Sequence, residues 1–387
     1  MKALVKRQYL LPFFLITSLF FLWGAAHSIL DVLNKHFQNV IPGMTHAHSS
    51  MVQVMFYLGY FVMAIPAGIV IDRRGYRTGV VTGLLLYGVG ALMFWPGAQI
   101  MSFNFFLASL FVIACGLVFL ETAASRLNLA QSFNGLGCVC GPLFGGLLLF
   151  SDAEGAENRI ALPYVVMAAV ALSVAIAFTR IKLPEIPHKV EKVDETKGSK
   201  LAHLLHNKAF LFGIVALLSY EVSEISINSF FINYVSDGGW MNPRDASIAL
   251  SFGGLGLFMM GRVVGSLLMQ HVGTERVLSI CAVCTFLCTF VVMLNMGMFS
   301  LIALVLVYVF ESIMFPTIFA LSLRGLGSLT KRASSLLMMT PIGGAIGPLL
   351  MGIVADASSM SVAFIIPLIG FANVLAYAFA QRKEHTA

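Results

Sequence analysis

The chain has 387 residues, of which 58% are hydrophobic and only 11% charged. An ordinary soluble domain carries about 25% charged residues, so a soluble globular fold is excluded. The net charge of +6 would suit a nucleic-acid binder, but the basic residues fall where membrane topology places them.

Twelve hydrophobic spans are predicted, each about 20 residues long and without the alternation of a membrane β-barrel. The first covers about 9–36. Lys2, Lys6 and Arg7 precede its apolar run to Trp23, which is the pattern of a signal peptide. The run continues through His27, Ser28 and Asp31, however, and reads as one spanning helix. His27 stands one helical turn before Asp31, where it either shares a proton with it or makes an ordinary polar contact. The second span, about 49–71, ends in Gly68-Ile-Val-Ile-Asp72-Arg73-Arg74-Gly75-Tyr76-Arg77. Its glycines allow a tight helix-to-helix turn, and its Asp and Arg residues can latch neighbouring helices. An ordinary basic cytoplasmic loop is the plainer reading.

The third span covers about 77–99, and the fourth, about 102–122, carries Glu121. The fifth, about 127–150, carries Asn128, Gln131 and Asn134 and then Gly141-Pro-Leu-Phe-Gly-Gly146. Small residues there let helices cross closely, and the proline can bend the helix. The sixth span covers about 160–181.

A hydrophilic stretch, 184–208, follows and is expected to be a flexible cytoplasmic linker. It divides the chain into two six-helix halves, 1–183 and 209–387. The seventh span, about 209–234, carries Glu221 and Glu224 on one helical face. Arg262 in the eighth, about 244–270, needs one of them as a counter-charge. The ninth span, about 275–296, holds Cys281, Cys284 and Cys288 at helical spacing. With Cys138 and Cys140 they read as small residues at helix contacts rather than a disulfide or metal framework. Glu311 lies in the tenth span, about 299–323, and Gly347-Pro-Leu-Leu-Met-Gly352 in the eleventh, about 333–355. The twelfth covers about 359–381.

With both termini in the cytoplasm, 20 Lys and Arg residues fall inside and 3 outside, Arg262 being within a span. That asymmetry sets the orientation. The two Gly-Pro-Leu segments lie 206 residues apart, Asp31 and Glu224 193, and Glu121 and Glu311 190. The near agreement predicts a duplicated six-helix unit. The expected fold is all-α, with twelve transmembrane helices in the major facilitator arrangement.

Five carboxylates lie within spans: Asp31, Glu121, Glu221, Glu224 and Glu311. Each costs about 3 kcal/mol or more in hydrocarbon, so each must face a partner, a proton or water. Glu221, Glu224, Glu311 and Arg262 suggest an intramembrane charge network with either a structural or a transport role. No phosphate loop, metal-ligand cluster or nucleophile–base pattern stands out, so no enzyme, cofactor or metal is expected. Energy must then come from an ion gradient, and titratable carboxylates favour H+ over Na+.

Several segments together resemble one family, the fucose, galactose and glucose proton symporters of the major facilitator superfamily. They are Phe20-Phe-Leu-Trp-Gly24 with Asp31, Leu120-Glu-Thr-Ala-Ala124 and Arg126-Leu-Asn-Leu-Ala-Gln-Ser-Phe-Asn134. In the second half they are Phe315-Pro-Thr-Ile-Phe-Ala-Leu-Ser-Leu-Arg-Gly-Leu-Gly327 and Ser334-Ser-Leu-Leu-Met-Met339. The Gly68 to Arg77 loop also resembles the superfamily signature, which makes Gly68, Asp72, Arg73, Gly75 and Arg77 the expected conformational latch.

The resemblance implies proton-coupled monosaccharide uptake by alternating access, in a bacterial inner membrane. Asp31 and Glu121 would be the protonation and sugar-coupling carboxylates. Gln131 and Asn134 would hydrogen-bond sugar hydroxyls. A monomer is expected. The family usually has an amide at the position of Glu311, which implies a lesser role there.

Two departures stand out. Leu30 replaces a polar residue before Asp31, leaving His27 and Ser28 as the nearby substrate-binding candidates. The connection between the fourth and fifth spans is also shortened, so that Glu121 lies about 28 Å along its helix. This leaves open whether Glu121 stays in the pathway. An efflux carrier, or a non-transporting sugar sensor or shortened paralogue, are the alternatives; the amides of the fifth span argue against the first.

Overall fold

The computed structural model describes residues 10–124, 131–150, 160–180, 204 and 206–386. Most of the expected 184–208 linker, together with Arg126 and Asn128, lies outside them. The described residues form helices and turns, without strands. Ten helices are long and apolar enough to span a membrane, and 133–149 forms a shorter apolar one. With α1, Leu10–Val40, they make up the twelve spans.

Numbered along the chain, the next helices are α2 (Met51–Arg74), α3 (Tyr76–Leu92, continued as Phe94–Ile100), α4 (Phe103–Ala124), α5 (Gln131–Leu149) and α6 (Ala161–Arg180). They are followed by α7 (Lys208–Asp237), α8 (Leu257–Val272), α9 (Thr274–Met293) and α10 (Met298–Glu311, continued as Met314–Ser322). The last two are α11 (Gly343–Ala357) and α12 (Ile365–Thr386).

Three spans predicted as continuous are interrupted, each beside a proline, and in α3 the interruption is Met93, with Pro96 four residues after Leu92. In α10 the break falls at Ser312–Ile313. Pro316 has no N–H to offer the Ser312 carbonyl four residues earlier, and its ring crowds that carbonyl. Before α11, Thr340–Ile342 forms a 3-10 turn around Pro341.

The chain divides into two compact units. One comprises Met1–Met44, Met51–Ile186 and Val235–Phe252. Within it α1 lies against α5 at backbone distance, with Gly24 facing the Asn134 carbonyl and Gly137 the Phe21 carbonyl. A Cβ on Gly141 would strike the Ser28 hydroxyl and lie 2.8 Å from the Ala25 carbonyl oxygen. Lys35 near the end of α1 pairs with Asp237 at 2.7 Å.

The other unit comprises Thr45–Ser50, Pro187–Tyr234 and Gly253–Ala387. Here α7 meets α11 in the same manner, through Gly343 and Gly347. Asp356 accepts hydrogen bonds from the His46 and Ala47 amides at 2.8 and 2.9 Å, a carboxylate at the positive end of the short helix His46–Ser49. Glu275 and Arg324 pair at 2.6 Å.

Glycine contacts fix the register of the duplication. Gly137 and Gly141 face Phe21 and Ala25, as Gly343 and Gly347 face Leu218 and Val222. The offset from α5 to α11 is 206, as expected, but that from α1 to α7 is 197. Glu224 therefore matches His27, and Asp31 matches Asn228. Gly59 packs on Phe111 and Ala114, and Gly261 on Val309 and Ser312, an offset of 198 from α4 to α10. Glu311 thus matches Ile113, not Glu121. Ala114 and Gly141 are 27 residues apart and their counterparts Ser312 and Gly347 are 35 apart, so the first half is eight residues shorter there.

Because neither backbone at the α1–α5 contact can retreat without opening the pair, Gly141→Ala should overpack it. The expected loss is about 1–3 kcal/mol, read as a lower unfolding temperature in detergent. An unchanged temperature would contradict the contact.

Candidate functional site

Residues 23, 27 and 31 of α1 recur every four positions and form one stripe along the helix. Trp23 and His27 stack on that stripe, with ring centroids 5.5 Å apart and planes 11° from parallel. Asp31 lies one turn further on and is buried, 5% exposed.

α2 supplies the facing groups. Phe56, Tyr57 and Tyr60 recur at three- and four-residue spacing, so they share one face. Tyr57 meets the His27 ring edge-on at 5.8 Å, and its hydroxyl is hydrogen-bonded to His27 Nε2. Phe56 also packs on the His27 ring in a T-shaped arrangement, with centroids 6.1 Å apart. Trp23 Nε1 donates to the Tyr60 hydroxyl.

Glu121 completes the group from α4. Its carboxyl is hydrogen-bonded to Tyr60, the tenth residue of α2. Although Glu121 lies in the last turn of its helix, it is therefore tied to the middle of α2. A donor chain runs from the Trp23 N–H to the Tyr60 hydroxyl to the Glu121 carboxyl, with His27 stacked beside it. Aromatic faces next to hydroxyl and carboxyl groups can hold a molecule with an apolar face and a rim of hydroxyls.

Trp23, Tyr57 and Tyr60 were not among the residues expected from sequence. Their signal was present, since Trp23 precedes His27 by one turn and the two tyrosines are three apart. Aromatics at helical spacing in an apolar span read as core, which hid them. Tyr60→Phe should remove the link between Trp23 and Glu121 and leave two buried polar groups short of a partner, at a cost of about 1–3 kcal/mol. A rise of about tenfold or more in half-saturating substrate is expected in transport assays, and an unchanged value would remove Tyr60 from the site.

The other expected residues lie as follows. Ser28 is buried at the α1–α5 contact, and its hydroxyl donates to the Gly24 carbonyl at 2.9 Å. The Asn134 amide oxygen accepts from Cys138 Sγ at 3.6 Å. Nothing is described of the Gln131 side chain.

In the loop after α2, Gly75 has a φ of +84°, in the region that favours glycine. Asp72, Arg73 and Arg74 are exposed, and Gly68 meets open space. Arg77 makes the cross-helix contact, donating to the Phe178 carbonyl at 3.0 Å and to the Thr179 carbonyl. A guanidinium at these last carbonyls of α6 suits the negative end of that helix.

The other intramembrane charges gather in the second unit. Glu224 is hydrogen-bonded to Tyr220 and lies in the field of Arg262. Arg262 Nε donates to the Ser312 carbonyl at 3.1 Å, the acceptor that Pro316 leaves unfilled. Its guanidinium lies 4.8 Å from the centre of the Phe258 ring. Glu311 is fully buried beside the break in α10, and the Tyr220 hydroxyl donates to its backbone carbonyl at 3.3 Å. Among the described residues, no group of three or more His, Cys, Asp or Glu is placed to hold a metal ion.

Comparison with known proteins follows the same line. The sequence profile of the Major Facilitator Superfamily matches residues 9–340. A glucose/galactose transporter of Brucella abortus (strain 9-941) is 32% identical over 392 residues, covering 95% of this chain and 93% of that protein. The L-fucose-proton symporter of Escherichia coli (strain K12) is 33% identical over 421 residues, covering 99% and 95%. That alignment is longer than this chain, so the relative carries stretches absent here. The crystal structure of FucP, a major facilitator transporter, in an outward conformation has a TM-score of 0.71 at 32% identity, covering 97% of this chain and 99% of that one. A twelve-helix integral membrane protein with this likeness along nearly its whole length is a transporter and not an enzyme, and it belongs to the major facilitator superfamily, in the family of the L-fucose–proton symporter and the glucose/galactose transporters.

Proposed function

We propose that this protein takes up a monosaccharide of the fucose, galactose or glucose type together with protons, by alternating access, as a monomer in a bacterial inner membrane. One observation carries the reading: a carboxyl, Glu121, tied through Tyr60 to Trp23 and beside the His27–Tyr57 pair, with Asp31 one turn away on α1. The names of the relatives supply the cargo class.

The physics of coupling needs only these groups. An ionised carboxylate binds sugar hydroxyls strongly, but it resists the dry, occluded state that alternating access requires. A proton removes that charge and lets the loaded carrier turn over. Asp31 and Glu121 link the proton to the sugar, the ring stack supports the sugar's apolar face, and Asn134 and Gln131 reach its hydroxyls. Both termini face the cytoplasm, as the distribution of basic residues requires. The six-helix halves, 1–183 and 209–387, are the repeated units, joined by the 184–208 linker.

A second reading, binding without accumulation, draws on the eight residues missing between α4 and α5. The Glu121–Tyr60 hydrogen bond speaks against it, since it keeps the carboxyl with the rest of the group. A lightly buffered, anaerobic suspension of cells expressing the protein separates the two. Adding L-fucose, D-galactose or D-glucose should make the medium more alkaline with at least one sugar. Sugar binding without any pH change, in cells shown to contain folded protein, would favour the second reading.

A further inference from the structure

The second unit holds a carboxyl that the proposed symport does not use. Glu311 has no exposed surface, and neither of its side-chain oxygens has a hydrogen-bond partner among the described residues. An ionised carboxylate with no donor, at membrane depth, is among the costliest groups a protein can carry.

The surrounding charges do not remove that cost. Around Tyr220, which reaches the Glu311 backbone, lie Glu221 and Glu224 of α7, Glu311 itself and Arg262 of α8. The Cβ of Glu221 lies beside Gly343 of α11. Glu224 is the like charge that acts on Glu311. α9 packs along α10 and carries no charged side chain from Val277 to Met293. Arg262 is the one cation of the group, and its field acts on Glu224. One guanidinium therefore faces two carboxyls, which leaves a charge to be balanced.

Tyr220 gives a second line of argument. Its hydroxyl has one proton to donate. That proton goes to the Glu311 backbone carbonyl at 3.3 Å, yet Tyr220 is also hydrogen-bonded to the Glu224 carboxyl. Tyr220 thus reaches the Glu311 backbone and the Glu224 carboxyl, and it leaves the Glu311 carboxyl without a donor. A proton on the Glu311 carboxyl removes that buried charge, and the group stands next to a helix break of the kind that borders ion sites in transporters. A metal ion would fit poorly, because Arg262 repels it.

We propose that Glu311, beside the like charge of Glu224, is a second proton-binding site, separate from Asp31 and Glu121, that adds one proton to each transport cycle. Balance is simple: a carboxyl takes up H+ from one side of the membrane and returns it to the other, with no bond broken except O–H. The coupling half of this statement rests on the symport proposed above, but the proton site does not.

Two measurements test it. Infrared difference spectroscopy of purified Asp31→Asn/Glu121→Gln protein, titrated around neutral pH where surface carboxyls are ionised, should show a protonated-carboxyl C=O band that titrates. Adding Glu311→Gln should abolish that band. No titrating band in the double variant, or a band that survives Glu311→Gln, would overturn the site.

In proteoliposomes, the proton-to-sugar ratio from the reversal potential should fall by one in Glu311→Gln and be kept in Glu311→Asp. An unchanged ratio in Glu311→Gln protein that transports sugar would overturn the coupling role. If wild-type protein moves no protons with any sugar, the symport reading fails, the coupling role fails with it, and the infrared band alone decides the proton site. Glu311→Gln protein that fails to elute as a single folded species would be replaced by Glu311→Asn, which also removes the proton carrier and should cut the ratio by one.

Discussion

Asp31→Asn should abolish concentrative sugar uptake while leaving the protein folded. The substitution is nearly isosteric and changes one property, the ability to carry a proton. Asp31 is buried on α1, on the stripe that carries Trp23 and His27. Each proton moved down a driving force of about 100 mV supplies about 2.3 kcal/mol, which supports about 50-fold accumulation of sugar. Wild-type protein in energised vesicles should approach that ratio for each proton carried. The Asn variant should stop at equilibrium, with the same concentration inside and outside. Downhill entry should persist, because the aromatic groups and Glu121 remain. Accumulation at the wild-type level would remove Asp31 from the coupling mechanism.

Glu121→Gln should separate exchange from accumulation. The amide oxygen of glutamine can still accept from Tyr60, so the donor chain from Trp23 keeps its end point. What is lost is the proton. Counterflow of labelled sugar should therefore stay within about tenfold of wild type, a hydrogen bond to a neutral acceptor being only about 1 kcal/mol weaker than one to a charged acceptor. Proton-driven accumulation should fall to equilibrium. Normal accumulation by Glu121→Gln would mean that the short connection between α4 and α5 has taken Glu121 out of the pathway. Loss of both counterflow and accumulation in folded protein would make it a sugar ligand first. Comparison with Tyr60→Phe separates these roles, since that variant keeps the carboxyl and breaks the link.

The spans were legible in the sequence because a bilayer imposes a length and excludes charge, and both leave plain marks. The first prediction, about 9–36, compares with a helix over Leu10–Val40, and the second, about 49–71, with Met51–Arg74. The breaks at Ser312–Ile313 and Thr340–Ile342 were missed although Pro316 and Pro341 mark them, because a hydropathy run does not register a lost backbone donor. The register of the duplication was misread for a different reason. Matching acidic residues to one another paired Asp31 with Glu224, whereas the glycines that set helix approach pair Ala25 with Val222. Charged side chains change freely between repeats, but a backbone contact at Gly141 or Gly347 does not. In the site, the titratable residues stood out against an apolar background, while Trp23, Tyr57 and Tyr60 were camouflaged by the 32 phenylalanines and other aromatics around them.

The central claim is that this protein couples a proton gradient to sugar uptake through Asp31 and Glu121. The most direct measurement is uptake of labelled L-fucose, D-galactose and D-glucose by proteoliposomes of the purified protein, alkaline and electrically negative inside. At least one sugar should accumulate well above its external concentration, collapse to equilibrium with a protonophore, and fail to accumulate with Asp31→Asn. Uptake that reaches only equilibrium with every sugar, and that a protonophore leaves unchanged, would contradict the account.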